Sequence, residues 1–581
     1  MEQKTEKRIC QNCKKDFIIE PDDFGFYEKI KVPPPTFCPW CRFIRQMAWR
    51  NERNLYKRSC DLCDKNIFST YPAGIQFPVY CHECWWSDKW EATSYGQKYN
   101  FSLPFFKQYK ELLDKVPRLG YLHTNVINSD YANLTKDSKN VYLSFSVVRG
   151  EDVFYSKAID DSFDIFDCLN IKNSENCYEN IEGDRNYNSQ HLLLSRNCAD
   201  SLYLFDCSNC SDCFMSSNLR NMQFYIRNQK YSKEDYEKEM KKLNSGSQHT
   251  RQKLSEEFKD LYSRAIYRFT NSVNVVNSTG NNISNTKNCH NCFDVYDAEN
   301  MKNSYRAFAI KDAMDIYYGG LGSEIVYECS TAINRSYNVR FSYYVPVQLR
   351  NAEYACYCDK SSDIFGCVGV RNKEYAIFNK VYPKKEFFEL RDKIIKQMNN
   401  LPYLDSKGRV YKYGEFFPYG LSLYAYNETL AQEFEPLDKN AVLEKGYKWR
   451  DPEIKSFKAT IRVDHIPDNI KDVDEKILNE VLECANKGEH HLCTRAFRIT
   501  PGELKFYQKH FIPLPNKCPN CRYYDRVDKI PPAYHLYHRT CICELANHGH
   551  TEKCPNEFET PYASNRPEKI YCERCYQQEV Y

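Results

Sequence analysis

From Asn125 onward, polar and apolar positions recur every twelve residues. DSKNVYLSFSVV from Asp137, RGEDVFYSKAID from Arg149, DSFDIFDCLNIK from Asp161 and NSENCYENIEGD from Asn173 share one register, which holds to NCSDCFMSSNLR from Asn209. The fourth column reads Asn128, Asn140, Asp152, Asp164, Asn176, Asn188, Asp200, Asp212, followed by small or branched residues and often Tyr or Phe. Self-similarity at a fixed period marks stacked coils. Asn and Asp at one repeated place supply turn chemistry, and the positions beside them suit strands. The pattern predicts a β-solenoid, with twelve or twenty-four residues to the coil. It recurs in NCHNCFDVYDAE from Asn288, NMKNSYRAFAIK from Asn300 and DAMDIYYGGLGS from Asp312, with Asn291, Asn303, Asp315, Asn351 and Asp363 in phase.

Both blocks end alike, RNMQFYIRNQKYSKEDY from Arg220 matching RNKEYAIFNKVYPKKEF from Arg371 at an offset of 151 residues, and each runs into a charged helical stretch. Such helices suit the exposed ends of a coil, whose unpaired edges invite aggregation. The predicted solenoid halves are 125–240 and 276–395, each with a capping helix, joined by a helical linker over 241–275. Residues 400–470, rich in aromatics and proline, read as a packed connector with a short helix that Asp438 caps and Gly446 ends. A second amphipathic helix is expected around Ile477, Leu478, Val481 and Leu482.

The two ends repeat each other. Cys10/Cys13 with Cys38/Cys41, then Cys60/Cys63 with Cys81/Cys84, give two groups of four thiols in C-x2-C pairs. Zinc takes four soft ligands in a tetrahedron, and one C-x2-C turn places two sulfurs on one metal. The segment from Asp16 to Arg42 aligns without a gap to the segment from Ala496 at an offset of 480, carrying Cys13, Cys38 and Cys41 onto Cys493, Cys518 and Cys521, and Cys10 onto His490. Cys484 is the first candidate for the fourth ligand there and His490 the second. The second module recurs at an offset of 491, with Cys554, Cys572 and Cys575 matching Cys63, Cys81 and Cys84. Cys541 is its expected fourth ligand, with Cys543 the alternative. Cys543, His548 and His550 lie in an insertion and are a replacement ligand, a contact behind the ligands, or surface residues. The expected zinc modules are 1–58, 59–95, 471–538 and 539–581, holding about four structural ions. Similar modules at opposite ends are expected to pack about a pseudo-two-fold axis and close the molecule.

Composition changes this picture little. The 581 residues are 42% apolar and 27% charged, but 15% aromatic with 47 Tyr, so many Tyr rings must sit half-buried. Lys plus Arg (81) nearly balance Asp plus Glu (78), which leaves no whole-chain argument for nucleic acid or membrane. MEQKTEKRICQNC carries no apolar signal region and no run is long enough to span a bilayer, so a cytoplasmic protein is expected. The 29 Cys are too sparse for a secreted disulfide scaffold. Cysteines of the repeat region read as small fillers, with a further metal site at Cys207, Cys210 and Cys213 as the alternative.

The phrases FCPWCR, PVYCHECWWSDKW and CPNEFETPYASNRPEKIYCERCYQQEVY, together with the Asn/Cys/Tyr repeats, resemble a family of multi-zinc-ribbon proteins of uncultivated bacteria over nearly the whole chain. The resemblance implies zinc at the matching cysteines and no established activity. Members sometimes carry a CaiB/BaiF CoA-transferase label, but the chain has neither G-x-G-x-x-G after a strand nor βαβ alternation.

The sequence therefore predicts a mainly β protein with short helices, tandem zinc-ribbon or treble-clef-like modules at both ends flanking a duplicated β-solenoid. A non-catalytic scaffold or adaptor for a protein partner is the first expectation. Nucleic-acid binding is the second: Arg42, Arg45, Arg50, Arg53, Lys57 and Arg58 face one acid, Glu52, with Trp49 and Tyr56 interleaved. A carbohydrate-active β-helix enzyme is the third, for which Asp152, Asp164, Asp200 and Asp212 are the repeated acids to inspect.

Overall fold

The computed structural model describes residues 5–243, 246–331, 333–451, 458–489, 492–531 and 533–581. The chain is mainly β, with twelve α-helices among the described residues, and its centre is two systems of short strands, one of twelve and one of nine. Within each, a residue pairs in parallel with the one a full turn later. Phe145 lies beside Lys157 and Lys157 beside Leu169, so one rung takes twelve residues.

Backbone conformation explains so short a rung. Every third residue is left-handed, as at Asn140 (φ 54°), Leu143 (43°), Ser146 (58°), Arg149 (51°) and Asp152 (55°). Each such residue turns the chain through a corner, giving four corners to a rung. A side chain with a Cβ resists positive φ, Asn and Asp least of all, so they collect in corner columns. Their amides then bond up the stack: Asn128 Nδ2 donates to Asn140 Oδ1, and Asn140 Nδ2 to Asp152 Oδ1, each at 2.9 Å.

Sides three residues long leave a narrow interior, filled by one small inward residue per side, as at Ser144, Val147, Gly150, Val153, Ser156 and Ile159, all buried. A Cβ on Gly150 would come within 2.6 Å of Val147 Cγ1. Inward Ser and Cys also satisfy backbone groups. Ser156 Oγ donates to Phe154 O (2.8 Å) and accepts the Cys168 N–H (2.9 Å). Cys168 Sγ likewise donates to Phe166 O (3.3 Å) and accepts the Asn180 N–H (3.4 Å). The thiols of Cys207, Cys210 and Cys213 point to the carbonyls of Phe205, Ser208 and Ser211, and these three are not among the described groups whose ligand atoms converge on one point.

The second stack departs from the expected phase. Ile310 pairs with Ser323, Glu324 with Tyr337 and Tyr337 with Arg350, so rungs here take thirteen residues. Three such additions equal one side, and Asn351 stands one corner round from the Asp315 column, bonded instead to Asn338 (2.8 Å) and to Asp363 (3.1 Å). Each stack ends in an antiparallel hairpin, Tyr225 against Lys230 and Ala376 against Val381, followed by the helices Lys233–Leu243 and Lys384–Asn400. A further helix, Gln248–Arg264, lies back on the first stack, Phe258 against Tyr203. In the connector, Lys439–Glu444 is helical and the Asp438 carboxylate accepts the Ala441 N–H (2.9 Å). The helix expected at Ile477–Leu482 is a 3-10 turn, Glu475–Asn479, followed by the strand Leu482–Glu483. Asp474 accepts the Lys476 N–H to start a tight turn, and Leu482 pairs with Phe497.

The cysteine modules dock crosswise. The N-terminal pair rests on the second stack: Arg42 meets Asp315, and Arg371 Nη1 donates to Trp85 O (2.7 Å). The C-terminal pair rests on the first: Arg522 meets Asp167, Phe506 stacks on Phe166 with centroids 3.8 Å apart, and Arg220 donates to the Tyr576 hydroxyl. Arg42 and Arg522, Trp85 and Tyr576, and Arg220 and Arg371 are equivalents at the offsets of 480, 491 and 151. The two ends also touch, Phe43 stacking on Tyr534 at 4.2 Å and Arg53 lying 3.5 Å over the Tyr523 ring. No helix among the described residues is long and apolar enough to cross a membrane.

Candidate metal centres

Each cysteine cluster is built from a hairpin and the start of a helix. Cys10 and Cys13 lie on the turn between strands Glu6–Ile9 and Asp16–Ile19, which the left-handed Lys14 closes and the Cys10 N–H to Lys15 O bond (2.9 Å) holds. Cys38 immediately precedes helix Pro39–Met47, and Cys41 lies in its first turn. Proline fits there because first-turn amides have no partner within the helix. The plan repeats with Cys60/Cys63 before His82–Trp85, Cys484/Cys493 before Pro519–Val527, and Cys541/Cys554 before Glu573–Val580, where Cys81, Cys518 and Cys572 take the capping place. The Cys81, Cys518 and Cys572 amides donate to the Cys60, Cys484 and Cys541 sulfurs, each at 3.2 Å. Amide donors and helix N-termini both favour thiolate over thiol.

In all four clusters the sulfurs lie within 4.8 Å of one another. Thiolates ~2.3 Å from a central ion in a tetrahedron have edges of about 3.8 Å. One edge of each cluster comes close to this, 3.7 Å for Cys13–Cys38 and 3.9 Å for Cys63–Cys81, Cys484–Cys521 and Cys554–Cys572. The clusters are therefore positioned to hold a metal ion. Crowding also polarises them: a hydrogen bond from Cys484 holds Cys518 down to about 4 and keeps the Cys484 thiol far above its usual range.

Of the alternatives left by the sequence, Cys484 completes the third cluster and Cys541 the fourth; His490 lies outside the described residues. Strands Tyr56–Ser59 and Tyr537–Thr540 belong to the hairpins of the second and fourth modules, so the expected boundaries at 58/59 and 538/539 fall inside them. Sequence spacing did not bring out a fifth group, Cys543, His548, His550 and Cys575, whose ligand atoms also lie within 4.8 Å of one another. Its signal is the ten-residue excess between Cys541 and Cys554 over Cys60 and Cys63.

The basic segment after Cys41 is not a solvent-facing stripe. Arg42 pairs with Asp315 (2.9 Å), Arg45 with Glu328 (3.1 Å) and Glu415 (3.3 Å), and Arg50 with Glu52 (2.7 Å) while lying 3.6 Å over the Tyr318 ring, all buried. Arg53 is half-buried on Tyr523, and Arg58 pairs with Asp61 (2.7 Å), leaving Lys57 as the exposed one of the six. The helix turns its cations inward because the second stack offers it acids. With Asp315, Glu328 and Glu415 facing two guanidiniums, burial pushes Glu328 up to about 8, Arg45 notwithstanding.

The repeated acids already have partners. Asp152, Asp164, Asp200 and Asp212 are left-handed corner residues. Asp152, Asp200 and Asp212 accept from Asn140, Asn188 and Gln223, and Asp164 faces Lys509 at 3.9 Å. A cavity of about 420 Å³ lies elsewhere, lined by Glu182, Asp206, Arg220, Asp294 and Arg306 among others and by none of those four. Two of its acids pair with bases, Asp206 with Arg220 (3.1 Å) and Asp294 with Arg306 (3.4 Å), while Glu182 accepts from the amides of Asn170 and Asn282.

No family model and no curated protein matches the chain. Among solved structures, one named "putative acetyltransferase", from Desulfovibrio desulfuricans G20, aligns over 50% of this chain and 83% of its own at 9% identity, with a TM-score of 0.09. So low a score carries no argument about fold or activity.

Proposed function

We propose that the protein is a non-catalytic zinc scaffold, in which treble-clef-like zinc modules at both ends clamp a duplicated β-solenoid whose outer face receives a protein partner. The observation that carries this reading is that each cluster gathers four sulfurs within 4.8 Å of one another. A site closed by four protein ligands keeps no position for water or substrate and acts structurally. Sixteen cysteines kept as reduced ligands suit the cytoplasm.

The partner surface is the flat outer column of the first stack, where Ile127, Lys139, Glu151, Phe163, Glu175 and Tyr187 stand one above another. Ile127, Phe163 and Tyr187 are 63%, 44% and 48% exposed between charged neighbours. Rungs ~4.8 Å apart make this a ladder about 24 Å long, matched to an extended segment of opposite pattern.

Metal analysis of protein purified without chelator tests the first half: four or more zinc ions per chain are expected, with a marked fall in melting temperature on chelation. Metal-free protein that melts unchanged would sink it. Comparing the partners cross-linked to the wild type and to the Phe163→Ser/Tyr187→Ser variant tests the second. Loss of contacts is expected, and an unchanged set moves the docking face elsewhere.

A further inference from the structure

The segment joining the first two ligands of the last module is ten residues longer than its counterpart in the second module. It folds back on the cluster it interrupts. Cys543 Sγ lies 3.2 Å from His548 Nδ1, and His550 Nε2 lies 3.4 Å from Cys575 Sγ. Cys575 belongs at the same time to the four-sulfur cluster of that module. We propose that the insertion builds a fifth metal site from Cys543, His548, His550 and Cys575, so that the last module holds two zinc-class divalent ions bridged by the Cys575 thiolate.

The imidazoles are set as ligands. His550 Nδ1 faces the Glu552 carbonyl at 2.6 Å. A carbonyl only accepts, so Nδ1 carries the proton and the lone pair on Nε2 is aimed at Cys575. His548 turns Nδ1 toward Cys543, while its buried Nε2 lies 3.3 Å from the Glu579 carboxylate without being aligned as a hydrogen bond to it. Metal-binding histidines characteristically give the outer N–H to a carbonyl or carboxylate, which fixes both ring and tautomer. A thiol–imidazole hydrogen bond accounts for Cys543 and His548 alone. It gives no reason for a second histidine, oriented by the Glu552 carbonyl, to face a sulfur that already belongs to a four-sulfur cluster.

The backbone is shaped for this arrangement. Gly549 takes φ 77° between the two histidines, and a Cβ there would lie 1.4 Å from Arg574 Nη2, which donates to His548 O at 2.7 Å. Cys543 and His548 are buried, at 0% and 1% exposure. Charge favours sharing as well. Four thiolates around one dication leave two negative charges in the interior, whereas five thiolates and two neutral imidazoles around two dications leave one, and uncompensated charge is costly there.

The proposal rests on metal binding by the four-sulfur clusters, and the metal count separates the two. Five zinc ions per chain are expected for the full wild-type protein and four for the Cys543→Ser/His550→Gln variant, which leaves every four-sulfur cluster whole. Four in the wild type overturns the fifth site alone, and none in either overturns the metal reading itself. Cobalt(II) titration of the wild type guards against misfolding of the variant. The fifth equivalent should add the visible bands of a mixed sulfur–nitrogen site and lower the total paramagnetic resonance signal, as two ions couple through one sulfur. A signal that rises in proportion through five equivalents rules out the bridge.

Discussion

Arg42 and Asp315 are 273 residues apart in the chain and meet as a buried two-point ion pair, Nε to Oδ2 at 2.9 Å and Nη2 to Oδ1 at 3.1 Å. Arg42 also donates to the Phe37 carbonyl (2.7 Å) at the foot of its own helix. Arg522 takes the same place at the other end, its Nε donating to Asp167 (3.1 Å), its Nη2 to Glu503 (3.4 Å) and its Nη1 to the Lys517 carbonyl (3.1 Å) in place of Phe37. One guanidinium thus ties the helix that carries a cluster to the stack beneath it.

Removing one side of such a pair leaves a buried charge without a partner, so Arg42→Met should destabilise the protein by about 3–5 kcal/mol. Replacing both groups, with Arg42→Met and Asp315→Leu, should restore most of that loss. Urea unfolding of the single and double variants checks this, and a double variant as weak as the single shows that packing dominates instead.

Glu52 sets an acid limit. Burial would raise its carboxyl, but Lys157 and Arg50 hold it down to about 2, below its ordinary 4.5. A lowered carboxylate stabilises the folded state fully above the unfolded value, and this is lost as pH falls through the folded one. Stability of the wild type should therefore decline between about pH 4.5 and 2, and Glu52→Gln should show a shallower decline in thermal melts over that window.

The interior of the stacks distinguishes size from polarity. Cys168→Ser keeps a group that accepts the Asn180 N–H and donates to Phe166 O, and should cost under about 1 kcal/mol. Cys168→Leu adds volume where each rung has none to spare and should cost about 1–3 kcal/mol. Denaturation midpoints compare the two, and equal losses would mean that the hydrogen bonds matter more than the space.

Binding to single-stranded RNA and duplex DNA across a salt series should show no submicromolar affinity, because Arg42, Arg45 and Arg50 are committed to carboxylates. A steep salt slope abolished by Lys57→Ala and Arg58→Ala would place a nucleic-acid surface on the second module's hairpin.

The rung period was legible because Asn and Asp relieve a conformational cost that recurs at each corner, and that recurrence is written in the sequence. Its left-handed residues at every side were not, since Leu143, Ser146 and Arg149 occupy them and carry no turn signature. The thirteen-residue rungs were hidden for a related reason. Three single additions restore the triplet spacing of inward residues, so Asn351 keeps an apparent phase while standing at a different corner. Cysteine spacing and alignment gave most of the four-sulfur positions, because a C-x2-C turn is a local object, but set Cys484 ahead of His490 and Cys541 ahead of Cys543 only as first choices, since an insertion interrupts the alignment at each. The inward turn of Arg42 and Arg45 depends on Asp315, Glu328 and Glu415, and that of Arg50 on Thr331 and the Tyr318 ring, hundreds of residues away, and no local pattern announces it.

Crosswise docking has a consequence for synthesis. The first two modules leave the ribosome before the strands that bear Asp315 and Arg371 have been made, whereas the last two emerge onto a stack already complete. At ~5–20 residues per second, Arg42 waits on the order of tens of seconds for its carboxylate. Until then the N-terminal modules lack the anchors they take on the second stack, and, on the proposed metal reading, each must hold its own hairpin and helix together around its ion.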